Sequence, residues 1–198
     1  MGTIFVDNLE PQSGTSLTLG ANGDTLTIPS GCTISNSGTA SGFGGITGSD
    51  IWYLTASISG GATTITSNWS QWDTETARLG SGMTQSSGIF TFPETGIWFV
   101  QFNAEFRGSG GSRYAEAKIS ITTNNSSYND RAYAYTSCGN FTNQSIGTAV
   151  VSTIIDVTDT SNVKVRFGGQ PSASGYELYG SSSAFIQTNA KFIRLGDT

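Results

Sequence analysis

With 198 residues, 14 acidic side chains against 9 basic ones and a net charge of −5, the chain has room for one sizeable domain plus an arm. It lacks the basic clusters that grip nucleic acid or an anionic membrane. It contains no histidine, which removes His-based triads, His metal sites and the usual general base. Only 36% of residues are hydrophobic and 12% charged, but eleven Phe, seven Tyr and four Trp can fill a real core, which argues against a disordered chain.

The remainder is dominated by Gly, Ser, Thr and Asn, while the helix formers Leu, Met, Lys and Glu are scarce. That balance predicts many short strands joined by tight turns. The opening Ile4, Phe5 and Val6 form a short apolar strand that stops at Pro11. This segment has neither the charged start nor the long apolar stretch of a signal peptide, so synthesis in a cytoplasm is expected. No apolar run approaches the roughly 20 residues that cross a bilayer, so no membrane insertion is expected.

Beyond Pro11, Leu17 and Leu19, then Leu26 and Ile28, then Ile34 recur between turn sequences such as Gly20–Asp24 and Pro29–Gly31. Such very short strands carry too little apolar mass to fold alone. They are expected to pair with copies of themselves around a threefold axis or to lie on another protein. Residues 1–45 thus read as an arm, with Ile4, Phe5, Val6 and Leu9 as its hydrophobic anchors and residues 41–49 as a hinge. No Lys or Arg precedes Arg78, whereas Asp7, Glu10, Asp24, Asp50, Asp73 and Glu75 do. That suits solubility, or docking of the arm on a basic surface. Cys32 in the arm and Cys138 in a later loop show no metal-ligand spacing, and a disulfide between them is a weak expectation.

Residues 46–198 read as the head. From Ile51, apolar residues alternate with period two. Trp98, Val100, Phe102, Ala104 and Phe106 share one face, opposite Gln101, Asn103 and Glu105, after a turn at Pro93–Gly96. Ala115, Ala117, Ile119 and Ile121 then oppose Tyr114, Glu116 and Lys118. Tyr133 and Tyr135 lie on one side of a small-residue strand. Gly147–Val157 is a more continuous apolar run. Val163, Val165 and Phe167 point inward, with Lys164 and Arg166 outward. The last strand, 183–195, carries Phe192, Ile193 and Leu195 on both faces. A terminal strand apolar on both faces needs cover on both sides, and the outward Ile97 and Phe99 make the same demand.

The stretch Ser87–Phe102, with its Gly88, Phe90, Pro93 turn, Gly96 and aromatic strand, resembles the signature hairpin of the C1q/TNF-like domain, with Trp98 where that family more often has Tyr. The closing Phe185–Ile186 and Phe192–Ile193 resemble its final strand. The resemblance covers roughly residues 50–198. It implies an all-β, ten-strand jelly-roll β-sandwich that assembles as a trimer, with Ile97, Phe99, Phe185, Phe192, Ile193 and Leu195 at the interface. The order of arm and head, ending in Phe192–Thr198, resembles structural proteins of marine bacteriophages. This implies a virion surface protein: a homotrimeric capsid decoration or short fibre bound to other virion proteins through its arm.

A second reading is a tail-fibre tip that attaches to host glycans. Trp69, Trp72, Tyr128, Tyr176 and Tyr179, in Asn/Ser/Gly-rich stretches, are its candidates for stacking on sugar. Core or interface packing is the competing role for each. A polysaccharide-degrading enzyme is a third and minor reading, since the only close carboxylate pair, Asp73 and Glu75, has no acid/base surroundings. No cofactor, metal or nucleic-acid partner is expected.

Overall fold

The computed structural model describes residues 9–35, 45–73, 78–182 and 185–198, and the chain divides into two compact units, Met1–Phe43 and Gly44–Thr198. Ile4, Phe5, Val6 and Glu75 lie outside the described residues.

In the first unit, turns replace the expected strands. The Asp24 amide donates to the Ala21 carbonyl at 3.0 Å, and the Asp24 carboxylate accepts the Ala21 amide at 2.7 Å. The Cys32 amide donates to the Pro29 carbonyl. No strand forms over residues 9–35, and Leu9, Leu17, Leu19, Leu26, Ile28 and Ile34 are all exposed. Two- or three-residue apolar segments separated by turns leave no ladder to hold a strand in a single chain.

The second unit is all-β. Its strands are β1 (Ser49–Leu54), β2 (Ile58–Ser59), β3 (Trp69–Gln71), β4 (Thr84–Ser86), β5 (Ile89–Thr91), β6 (Gly96–Gly108), β7 (Ser112–Thr122), β8 (Asn129–Cys138), β9 (Ser145–Val157), β10 (Lys164–Pro171), β11 (Tyr176–Leu178) and β12 (Asn189–Gly196). Among the described residues they make two antiparallel sheets. The larger runs β3-β1-β12-β6-β9, with β11 also paired to β6 and β2 to β11; the smaller runs β4-β5-β10-β7-β8. Apart from the short β2–β11 extension, each sheet has five strands, the two-layer arrangement of a jelly roll.

Alternation builds the sandwich. The inward side chains of β6 are Trp98, Val100, Phe102, Ala104 and Phe106, all buried. Phe90 and Phe167 face them from the smaller sheet. Phe102 stacks on Phe167 at 5.0 Å between ring centroids, and Phe90 meets Trp69, Phe167 and Phe192 at 5.2, 5.3 and 5.4 Å. Offset and edge-to-face pairs of this kind contribute about 0.5–1.5 kcal/mol each beyond area burial.

Two strands differ from the expected pattern. The last strand begins at Asn189, and Phe185 sits in the loop before it, while Ser183 and Ala184 of the expected span lie outside the described residues. Strand β9, expected to be apolar throughout, alternates: Ala149, Val151, Ile155 and Val157 are buried, while Ile146, Val150 and Ile154 are exposed.

Candidate functional site

The outward face of the larger sheet carries an apolar row. Register places Ile154 of β9 opposite Phe99 of β6, and Phe99 opposite Ile193 of β12. Ile97 is half-buried beside this row and Leu195 exposed; Ile146 and Val150 continue it along β9. Ile154 retains 62% of its surface, although nothing in its strand requires an apolar residue on that side. On β6 and β12 the next rows are polar, pairing Gln101 with Lys191 and Asn103 with Asn189, while on β9 Ser152 stands opposite Gln101 and Val150 opposite Asn103. An apolar stripe bordered by polar rows is the surface pattern of a protein interface.

Of the six residues expected at an interface, Ile97, Phe99, Ile193 and Leu195 lie on this face. Phe185 is exposed in the preceding loop. Phe192 corrects the expectation: it is completely buried between the sheets, because β12 alternates and its inward positions are Ala190, Phe192 and Arg194. Arg194 is held there by the Thr95 carbonyl and Thr47 hydroxyl, and by ion pairs to Glu94 at 3.5 Å and Asp197 at 2.5 Å. The neighbouring pairs Val150–Val151 and Ile154–Ile155 make Gly147–Val157 read as one apolar run in the sequence and hide the outward positions Val150 and Ile154; Ile146 lies one residue before that run. Their spacing, with Thr148 and Ser152 between them, carried the signal.

The expected sugar-stacking residues are scattered, and two are corrected. Trp69 is buried in the core with its indole N–H on the Ile65 carbonyl at 3.2 Å. Tyr176 is buried, its hydroxyl 2.6 Å from that of Ser145. Both sit on inward positions of the larger sheet, where aromatic volume fills the sandwich. Tyr179 has the Arg107 guanidinium over its ring at 3.4 Å, and Tyr128 has that of Arg166 at 4.2 Å, so each already has one occupied face. Burial raises the Tyr128 hydroxyl pKa, with Arg166 pulling the other way. Trp72 makes an edge contact with Tyr53 at 5.3 Å.

A second organised surface lies on the outward face of the smaller sheet. Tyr133 and Tyr135, two apart on β8, have parallel rings, 3° between planes and 6.3 Å between centroids. Tyr114 of β7 meets Tyr135 edge-on at 5.9 Å. A register shift leaves Arg131 as an extra residue between the pairs Ile119–Ala132 and Ser120–Asp130. This bulge turns Asp130 onto the same face as Tyr133. The Asp130 carboxylate accepts the Tyr133 hydroxyl at 2.6 Å, the Ser120 hydroxyl at 2.5 Å and the Lys118 ammonium at 3.0 Å. Burial alone would raise Asp130; these three bonds and the Lys118 charge outweigh it and hold the carboxyl at about 2. The same bond to Asp130 is the main reason that the Tyr133 hydroxyl is pushed up to about 12.

Cys138 is buried and Cys32 exposed, and both are free thiols. No group of three or more His, Cys, Asp or Glu among the described residues is placed to hold a metal ion.

Sheet order, pairing and core define the class: an all-β β-sandwich of the TNF/C1q-like jelly-roll type. Among solved structures, Eiger TNF from S. frugiperda is similar at a TM-score of 0.56 and 11% identity, covering 76% of this chain and 93% of that one. Murine APRIL, solved at pH 5.0, is similar at a TM-score of 0.52 and 11% identity, covering 75% and 98%. Likeness at this identity speaks for the fold alone. No family model matches the chain, and no curated protein sequence is similar to it.

Proposed function

We propose that the chain is a non-enzymatic, homotrimeric virion surface protein, a capsid decoration or short fibre. Residues 1–45 anchor it to other virion proteins and residues 46–198 project as the head. The observation that carries the oligomer is the row Ile154–Phe99–Ile193 on the outward face of the larger sheet. Burying such a row between copies recovers about 25 cal/mol per Å² of apolar surface. In a closed threefold ring every subunit presents the same two complementary surfaces to its neighbours, so one set of substitutions acts on all three contacts. The exposed Leu17, Leu19, Leu26, Ile28 and Ile34 support a docking arm, since short apolar segments without internal cover gain from a partner. The virion role draws on the resemblance of the arm-and-head order to phage structural proteins.

Native mass spectrometry of the full chain tests the assembly. The expected mass is that of three chains, and Phe99→Lys is expected to give one chain with unchanged circular dichroism. A full chain that stays single at high concentration overturns the trimer. Antibody labelling of purified particles tests the location, and absence of label overturns the virion role.

A further inference from the structure

The tyrosine face of the smaller sheet is built in a way that folding alone does not require. Tyr135 keeps 60% of its surface, Tyr133 46% and Tyr114 40%, yet none of the three is loose. The Tyr133 hydroxyl is fixed by Asp130, and the Tyr135 ring is braced edge-on by Tyr114 and lies parallel to that of Tyr133. The bulge at Arg131 brings Asp130 to the spot where it can do this. Rigid, amphipathic rings with fixed orientations lose little entropy when they take up a ligand.

The rim decides what that ligand is. Asp130 is neutralised by Lys118 and saturated by hydroxyl donors, so it offers no net field to a cation. Glu116, paired across the strands with Tyr135, and Arg113, whose guanidinium lies 5.8 Å from the Tyr114 ring, border the platform with one acceptor and one donor group. A second protein pressed onto this face would strip water from Glu116, Lys118, Asp130 and Arg113, a desolvation that interface centres avoid. A saccharide carries its own hydroxyls to such groups while its C–H faces stack on aromatic rings. An acidic polymer is disfavoured by the overall charge of −5.

We infer that Tyr114, Tyr133 and Tyr135 form a binding platform for an uncharged oligosaccharide, whose pyranose faces stack on the rings and whose hydroxyls meet Glu116 and Arg113. This goes beyond the proposed assembly and does not depend on it, because the platform lies within one chain and on the other sheet.

Affinity electrophoresis of the full chain through gels containing laminarin, mannan, dextran or galactan tests the platform, with alginate as the charged control. At least one neutral polymer is expected to retard the chain more than alginate does. Tyr133→Ala and Tyr135→Ala are each expected to weaken that retardation roughly tenfold, equivalent to about 1.4 kcal/mol. Tyr135→Trp is expected to keep it, which separates loss of stacking from loss of fold. The platform is overturned if no neutral polymer retards the chain or if both alanine variants bind as well as the parent. It is equally overturned if those variants change the native mass, because the face would then be covered by another copy.

Discussion

The Asp50 carboxylate accepts the indole N–H of Trp52, two residues along the same strand, at 2.9 Å. The same oxygen accepts the Gln71 side-chain amide at 2.8 Å and the Met83 backbone N–H at 2.7 Å, and the other oxygen takes the Ile51 N–H. One buried carboxylate therefore ties β1 to β3 and to the segment entering β4, and aims the Trp52 ring edge-on at Phe90. Asp50→Ala would leave these donors unpaired at a cost of about 3 kcal/mol, lowering Tm by roughly 6–12 °C. Asp50→Asn is expected to cost less but still destabilise, since its amide oxygen can accept the Trp52, Gln71 and Met83 donors while its amide nitrogen is set against the Ile51 N–H. Thermal unfolding of the two variants checks this; an Asn variant as stable as the parent would contradict it.

Phe192 and Ile193 are neighbours in sequence with opposite surroundings, one between the sheets and one on the outward row. Phe192→Ala is expected to cost about 3–5 kcal/mol of folding stability through the cavity it leaves. Ile193→Lys is expected to leave urea unfolding of the isolated subunit within about 0.5 kcal/mol, as surface substitutions usually do. It should instead lower the native mass. Measuring both quantities on both variants separates core from interface; the reverse pattern would mean that β12 is turned over.

That pair also marks how far the sequence could be read. The long alternations in β6 and β10 identify the inward faces directly, because a period of two over several residues has one physical explanation. Aromatic rings near Asn, Ser and Gly do not announce which face they occupy. Trp69 and Tyr176 look like loop residues in sequence and are placed inward by three-residue strands too short to show a period. Asp50 had no legible partner because Gln71 and Met83 reach it from 21 and 33 residues away. The tyrosine platform depends on the bulge at Arg131, which breaks the alternation that would otherwise have assigned Asp130 to the inward face.

Asp130 links that platform to pH. Its carboxyl is held at about 2 against an ordinary value of 3.8, so the folded state keeps the charged form more strongly than the unfolded chain does. The resulting stabilisation is fully present above the unfolded value and is lost as pH falls from 3.8 towards 2. The Tyr133 hydroxyl, raised from 10.0 to about 12, stabilises below 10.0 and loses its effect as pH rises towards 12. Melting curves against pH should therefore fall at both ends, and Asp130→Asn should flatten both relative to the parent. An unchanged acid limb in that variant would show that the carboxylate does not hold the tyrosine.

The β4–β5 hairpin turns on Ser87 and Gly88, with φ of 50° and 77°, the left-handed pair of a type I′ connection. Ser87 tolerates this region at modest strain. Gly88 faces a second constraint, because a Cβ there would stand 1.9 Å from the Ile65 carbonyl oxygen, a backbone atom that cannot swing aside. Gly110, with φ of 83° and nothing within 4 Å of its own Cβ position, carries the conformational strain alone. Gly110→Ala is expected to cost about 1–2 kcal/mol, the left-handed penalty for an L residue. Gly88→Ala is expected to cost clearly more, because it adds displacement of the 65–66 backbone to the same penalty. Urea unfolding of the two variants compares strain with strain plus collision. Equal midpoints would mean that the approach of Ile65 to the hairpin is looser than its carbonyl position implies.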